Sequence, residues 1–295
     1  MAITLLESAK LSQDMLQKGV IETMIRTSAV LEILPFMEIS GNAYTYNQVA
    51  VLPTVAFRSV NEGYVESGSE FIQKTASLTM LGGDVDVDKF IAETRGNIND
   101  QRAIQTELKA KAVAETYTKT FFYGDSVVNT KSFNGLAKMV VAGKDIDVLD
   151  TATGALTLED LNVLVDAVPF GADCFFMSRT VRRIVMNLLQ SNQHYIETSV
   201  DAFGKPMVAY AGIPLRICED GVMPKQGLAG VDGSEIFAVK FGAMSDVCGL
   251  QNGSVRVTDI GELETMPVYR TRIEWYCGLA VFNENSVARL KGILK

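Results

Sequence analysis

Apolar residues recur at broadly helical spacing between positions 5 and 34. The positions that carry the pattern are Leu11, Met15, Ile21, Ile25 and Leu31. This spacing predicts one or two amphipathic helices. Gly19 is expected to interrupt them, and Pro35 to end the segment, because the residue before a proline is disfavoured in a helix.

Between residues 41 and 88 polar and apolar side chains alternate, which is the period of a β-strand. The centre of this stretch, NEGYVESGSE, is rich in glycine, serine and glutamate, so the pattern predicts a long β-hairpin. An isolated two-stranded ribbon is marginal in water, and something else must cover it. We expect the cover to be a neighbouring copy of the chain.

The clearest helix is predicted from residue 99 to about residue 123, because no glycine or proline occurs before Gly124. Glu107 with Lys111 is a favourable pair one turn apart. The apolar stripe predicted to face the core consists of Ile104, Leu108, Ala112 and Phe121.

The second half of the chain predicts a mixed unit followed by strands. Within residues 151 to 257, the run Cys174 to Met177 predicts a buried strand, and Ser178 is placed to cap the helix after it. Strands are predicted from 269 to 275 and from 279 to 282, with Gly278 separating them. Ser286 is expected to begin a short last helix, VARLKGIL.

Composition bounds the class of protein. The 295 residues, 47% of them hydrophobic, allow a substantial core. No apolar run of about 18 residues and no secretory signal occurs, which predicts a cytoplasmic protein without a membrane span. A net charge of −8 disfavours a dedicated nucleic-acid reader, but it does not exclude a container, since a mildly acidic wall repels enclosed DNA.

Enzyme signatures are few. The four cysteines lie far apart in sequence and are expected to be reduced, buried thiols rather than metal ligands. The single histidine, His194, would have to serve any hydrolase built on the central unit, but no nucleophile elbow, phosphate loop or dinucleotide turn accompanies it. We therefore expect His194 to be a solvated loop residue, and predict no catalytic residue and no cofactor.

A carboxylate cluster is the most site-like feature. Asp84, Asp86 and Asp88 alternate with valines and so share one strand face. A calcium loop would need glycine and glutamate where Lys89 and Arg95 stand, so no metal site is predicted. We expect the aspartates to meet arginines of another segment or another subunit. The interface candidates, positive and negative, are Arg58, Glu62, Glu66, Glu70, Asp84, Asp86, Asp88, Arg270 and Arg272.

Taken in order, these segments resemble a known family, the major capsid proteins of tailed bacteriophages with the Hong Kong 97-type fold. Four stretches carry the resemblance: GGDVDVDKF before the long helix, FFYGD at its end, FNGL at Phe133 to Leu136, and RIEWYCGLAVFNENSVARLKGI near the C-terminus. The resemblance covers nearly the whole chain and implies an α+β fold. Residues 1–40 would form an N-terminal arm, 41–84 an extended E-loop, 85–155 with 255–295 a P-domain around the spine helix, and 156–254 an A-domain.

The function implied is a shell protein that assembles as hexamers and pentamers into an icosahedral capsid around double-stranded DNA. Its partners would be other copies of itself and a portal protein, with decoration proteins as further candidates. Because the sequence starts directly at the arm, scaffolding, if required, is expected to be a separate protein. It would be made in the host cytoplasm and reside in the virion. An encapsulin-like compartment is the alternative, and a hydrolase using His194 the remote one. The prototype of the family cross-links neighbouring subunits from lysine to asparagine. Lys74 with Asn283 or Asn285 supplies those residue types, but no spacing singles them out, so cross-linking is not predicted.

Overall fold

The computed structural model describes residues 3–4, 15–95, 101–148, 154–191, 197–200, 206–219, 221–223 and 233–293. The helices in these ranges are α1 (Met15–Thr27), α2 (Lys89–Arg95), α3 (Gln101–Tyr123), α4 (Leu136–Met139), α5 (Leu158–Asp166) and α6 (Arg179–Ser191). The strands of the first half are β1 (Ile3–Thr4), β2 (Pro35–Glu38), β3 (Ala43–Val51), β4 (Glu70–Ser77), β5 (Thr79–Asp88), β6 (Asp145–Asp147) and β7 (Cys174–Ser178). Those of the second half are β8 (Glu197–Val200), β9 (Pro206–Tyr210), β10 (Ile213–Cys218), β11 (Ser234–Val239), β12 (Val247–Gln251), β13 (Arg256–Glu262), β14 (Val268–Val281) and β15 (Val287–Ile293).

Three sheets organise the described chain. The first sheet has the order β1-β2-β12-β14-β13, with β5 also paired to β14, and the second has the order β6-β15-β11-β7-β10-β9-β8. The third is the two-stranded ribbon β3-β4. Each large sheet combines segments that are distant in sequence, since β12 pairs in the first sheet with β2 and β14, and the late strand β15 pairs in the second with β6 and β11.

The long helix α3, which corresponds to the expected spine helix, packs across the first sheet and forms the centre of the core. Tyr117 and Phe121 are fully buried, and the Tyr117 ring lies 4.6 Å from that of Trp275 on β14. Helix α1 packs alongside, where the Ser28 and Thr118 hydroxyls share a hydrogen bond of 2.6 Å. A second core lies between the second sheet and helices α5 and α6.

The spine helix α3 occupies the predicted segment, but Phe121 is the one buried residue among the four of the predicted apolar stripe. Ile104 is 40% exposed and Leu108 52% exposed, and Ala112 is also exposed. The buried face carries Val113 and Tyr117 together with Phe121, with small residues between them. The first sheet and α1 therefore pack against a different side of α3 from the side that the apolar spacing predicts.

Three boundary predictions are also corrected. Helix α1 continues through Gly19, and a Cβ at that position would face open space. Packing of the buried face of α1 offsets the conformational cost of a glycine in the middle of a helix. Strand β14 continues through Gly278, where a Cβ would lie 2.8 Å from the Ser77 carbonyl oxygen; that glycine permits close approach rather than ending a strand. The segment after Ser286 is strand β15, not a helix, because it pairs with β11 and β6.

Other local predictions are confirmed. Strand β7 is buried throughout, and the Ser178 hydroxyl accepts a hydrogen bond of 3.3 Å from the Val181 N–H at the start of α6. Helix α3 ends at Tyr123, directly before Gly124. The hairpin is present but shorter than predicted: it ends at Ser77, and residues 79–88 pair with β14 instead.

Candidate assembly surface

A hairpin projects from the body of the molecule. Strands β3 and β4 pair from Ala43 opposite Ser77 to Val51 opposite Glu70, with a bulge between Val49 and Val51. The two limbs beyond this ladder stay connected, because the Ser67 hydroxyl donates to the Thr54 carbonyl at 2.8 Å. We call residues 52–69 the hairpin tip and the paired strands its root.

The root is fixed to the body by polar groups. The Tyr46 hydroxyl donates to the Val281 carbonyl at 3.0 Å, and the Gln48 amide donates to the carbonyls of Val281 and Phe282 at 2.8 and 2.9 Å. Burial raises the pKa of Tyr46, which keeps the phenol a donor. Lys74 adds an ion pair of 2.7 Å to Glu284.

Rings seal the same junction. The Phe282 ring lies 4.7 Å from that of Tyr46 and 6.1 Å from that of Tyr44. Both carbonyl acceptors and this aromatic contact come from the end of β14, so the root is held in a defined direction relative to the first sheet.

The hairpin tip carries large apolar side chains that are mostly exposed in the single subunit. Phe57 is 106% exposed, Val55 93% and Val60 90%. The exposed set on the tip is Leu52, Val55, Phe57, Val60, Tyr64 and Val65. An exposed apolar group of this size on a fixed support is characteristic of a surface that another molecule covers.

Charge on the tip is arranged locally. The Arg58 guanidinium donates to the Glu62 carbonyl at 3.1 Å and lies 5.1 Å from the centre of the Tyr64 ring. Glu66 and Glu70 are exposed on the return limb. These four predicted interface charges therefore lie on one accessible projection.

The aspartate face on β5 is paired within the chain. Arg270 and Arg272 lie directly opposite Asp86 and Asp84 in the strand register. Each pair is two-pronged, with N···O distances of 2.6 and 2.6 Å for Arg270 with Asp86 and of 2.7 and 2.9 Å for Arg272 with Asp84. Hydrogen bonds from these arginines lower the pKa of both carboxyl groups.

Asp88 has a different role from its two neighbours. Its carboxylate accepts a hydrogen bond of 2.8 Å from the Phe90 N–H at the start of α2. The prediction that the cluster meets arginines of another segment is thus met by Asp84 and Asp86. A contact of this cluster with another subunit stays a prediction.

Sequence reasoning missed two neighbouring ion pairs. Lys89 contacts Glu262 at 3.0 Å, and Arg102 on the spine helix contacts Asp259 at 2.6 Å. Both join β13 to segments more than 150 positions earlier. No local sequence pattern predicts such pairs, because only the strand order brings the partners together.

A buried polar cluster joins the end of the spine helix to the second sheet. The Glu235 carboxylate accepts hydrogen bonds from Arg289, one of 2.9 Å from Nε and one from Nη2, and a third of 3.0 Å from the Tyr123 hydroxyl. Burial, and then the Glu235 charge, raise the pKa of Tyr123. The cluster was not predicted from the sequence.

The residues considered for chemistry are His194 and the four cysteines. His194 lies outside the described ranges. All four cysteines are buried and form no disulfide, as predicted, and burial raises the pKa of the Cys248 thiol to about 11. Among the described residues no three of histidine, cysteine, aspartate and glutamate are grouped as a metal site would need. Nor is any helix in those ranges long and apolar enough to cross a bilayer.

The spine helix, the two large sheets and the hairpin are the elements of a Hong Kong 97-like fold, and solved structures with this fold are similar to the chain. Similar solved structures include the SrpI encapsulin of Synechococcus elongatus PCC 7942, with a TM-score of 0.69 and 20% identity over 90% of this chain and 86% of that one. A chain of Microbacterium phage Oxtober96 has a TM-score of 0.65 and 16% identity over 90% of both chains. The capsid of a native GTA particle has a TM-score of 0.66 and 14% identity over 90% of both.

A family model also matches part of the sequence. The family model of "Major capsid protein GP7" matches residues 12–146, which include α1, the hairpin and the spine helix. No curated protein matches the sequence. Together the family match and the phage-derived structures support a phage major capsid protein of the Hong Kong 97-like type with a shell-forming role.

Proposed function

We propose that this chain is the major head protein of a tailed phage, assembling as hexamers and pentamers into an icosahedral shell around double-stranded DNA. The observation that carries the proposal is the hairpin: its root is fixed by hydrogen bonds and rings, while its tip presents six apolar side chains to water. A tip supported in this way is suited to lie on a neighbouring subunit. Shell stability is then interface burial repeated in every copy.

The domain roles follow the same proposal. Residues 1–40 act as the arm and 41–84 as the E-loop, 85–155 with 255–295 form the P-domain, and 156–254 the A-domain around the symmetry axes. The chain acts as a structural protein rather than an enzyme. Its net charge of −8 keeps the inner wall from binding the packaged DNA tightly.

Partners beyond further copies are part of the proposal. Packaged DNA needs an entrance, which a portal protein at one vertex would supply, and separate scaffolding or decoration proteins would act during and after assembly. Assembly would take place in the bacterial cytoplasm, and the finished protein would reside in the virion.

Replacing residues 52–69 with a two-residue Asn-Gly turn tests the role of the hairpin. This turn closes two-stranded hairpins and leaves the ladder from Ala43–Ser77 to Val51–Glu70 in place. Negative-stain images of the purified chain should show closed shells, whereas the shortened chain should give folded subunits or capsomers only. Closed shells of normal size from the shortened chain would refute the proposal.

Charge on the tip gives a second test. Arg58→Glu reverses a side chain whose contacts within the subunit are one carbonyl and one ring, so the subunit should fold normally. Shell yield should fall at low salt and recover partly as salt screens the charge. A yield equal to that of the unmodified chain at every salt concentration would remove Arg58 from the interface.

The encapsulin-like compartment is the second candidate, favoured by the fold similarity to the SrpI encapsulin. The contents of particles purified from a native source distinguish the two. Nuclease-protected DNA and a single distinctive vertex indicate a phage head, whereas a co-purifying enzyme indicates a compartment.

A further inference from the structure

Two Asn-Gly sequences occur in the described part of the chain, at Asn134-Gly135 and Asn252-Gly253. Glycine lacks a Cβ, so its peptide nitrogen can approach the carbonyl carbon of the preceding asparagine side chain with little hindrance. Such pairs are prone to deamidation in any unfolded chain. The fold places these two pairs in very different surroundings.

The first pair is held against reaction. The Gly135 N–H donates to the Gly124 carbonyl at 2.9 Å, and the Asn134 side-chain oxygen accepts from the Ser126 N–H at 2.9 Å. A Cβ built on Gly135 would lie 2.5 Å from the Thr120 carbonyl oxygen, so the peptide is packed against the end of the spine helix. Neither the nitrogen nor the side chain can move to meet the other without losing these contacts.

The second pair lies in the turn between β12 and β13, where Gly253 has a φ of +73°. Within the described residues the Gly253 N–H donates to no acceptor. The Asn252 side-chain amide makes one long hydrogen bond of 3.3 Å, to the Gly41 carbonyl, and the Asn252 backbone N–H donates to the Tyr276 carbonyl at 3.2 Å. The backbone is therefore anchored at Asn252, but the reaction breaks one long side-chain hydrogen bond, and the Gly253 nitrogen gives up no hydrogen bond to a described residue.

A cation stands beside this second pair. A Cβ built on Gly253 would lie 3.5 Å from Nη2 of Arg256. Attack by the glycine nitrogen places negative charge on the former amide oxygen, and a guanidinium close to the turn can stabilise such charge. Arg256 lies over the Tyr276 ring, 5.7 Å from its centre, which holds the guanidinium near the turn.

We propose that Asn252 is a site of spontaneous deamidation in the folded protein, promoted by Arg256, while Asn134 is protected. The Gly253 nitrogen attacks Cγ of Asn252, a C–N bond forms to give a cyclic imide, and the side-chain nitrogen leaves with the displaced proton as ammonia. One water molecule then opens the imide at either carbonyl, giving aspartate or isoaspartate. No oxidant, reductant or metal takes part, and the site does not depend on the proposed function.

Peptide mapping by mass spectrometry of the full-length protein, incubated at mildly alkaline pH, tests the proposal. In the folded protein the deamidated product should accumulate at Asn252 about tenfold or more faster than at Asn134, whereas in denaturant the two rates should become similar. Arg256→Gln should slow the reaction several-fold at Asn252 only, and Asn252→Gln should abolish its product. Equal rates in the folded protein, or the same ratio with and without denaturant, would overturn the proposal. An unchanged rate in Arg256→Gln would overturn the role given to the guanidinium.

Discussion

Replacing Phe57 with serine is the most direct probe of the hairpin tip. The side chain is 106% exposed in the subunit, so it contributes nothing measurable to folding of the lone chain. Covering a phenylalanine side chain in an interface stabilises by about 2 kcal/mol. If each copy places one tip on a neighbour, the loss is about 2 kcal/mol per subunit in every position of the shell.

That loss converts directly into an assembly threshold. Since each 1.4 kcal/mol is about a tenfold change in an equilibrium constant, the subunit concentration needed for shells should rise about 30-fold. Light scattering against protein concentration, with negative-stain images at each point, measures the threshold. Phe57→Leu is the matched control, because it keeps most of the apolar area and should shift the threshold much less.

Two results would refute this reasoning. The first is a Phe57→Ser chain that assembles at the unmodified concentration, which would leave the side chain outside any interface. The second is a thermal unfolding midpoint of the unassembled subunit that falls clearly with the substitution, since a side chain without contacts in its own chain should change stability by less than about 0.5 kcal/mol.

Three further predictions concern the body of the subunit. Gly82→Ala should destabilise it by about 2 kcal/mol or more in a denaturant titration, because the new Cβ would lie 2.2 Å from the Ile273 carbonyl oxygen; Gly63→Ala, with open space around it, should be neutral. Glu235→Gln should lower the free energy of unfolding by about 3 kcal/mol, because it removes the buried charge that faces Arg289. Asp147→Asn, at an exposed ion pair, should lower it by under about 1 kcal/mol, and equal losses would contradict the role of burial. Asp84→Asn should weaken the fall in the free energy of unfolding at acid pH. The pKa of Asp84 is lowered in the folded state, so its pairing with arginine stabilises the fold above the ordinary carboxyl pKa, and this stabilisation is lost as the pH falls through the folded pKa. An unchanged acid limb would show that Asp84 contributes no linkage.

Local signals in the sequence were sufficient for several elements. The spine helix could be located because a long stretch free of glycine and proline ends at Gly124, and strand β7 because an apolar run is followed by a capping serine. The alternation of Asp84 and Asp86 with buried valines correctly predicted a two-faced strand. In each of these cases, residues close in sequence decide the outcome.

Elements decided by distant partners were misjudged. The segment VARLKGI has residues at plausible helical spacing, but antiparallel pairing with β11 makes it a strand. Ile104 and Leu108 suggested the buried side of the spine helix, yet the sheet contacts the side that carries Tyr117 and Phe121. For the assembly surface, the exposure of the tip and the Asp–Arg pairing became visible only with the strand register.

Strand β15 has a consequence for how the subunit is made. It lies between β6 and β11, so the second sheet cannot close until residues up to 293 have left the ribosome. Strand β5 likewise waits for β14, about 190 positions later, and such long-range pairing is slow compared with helix formation. A nascent chain therefore contains neither large sheet in complete form. Partly synthesised copies lack the framework on which neighbouring subunits would pack, so incorporation into particles has to follow the completion of synthesis.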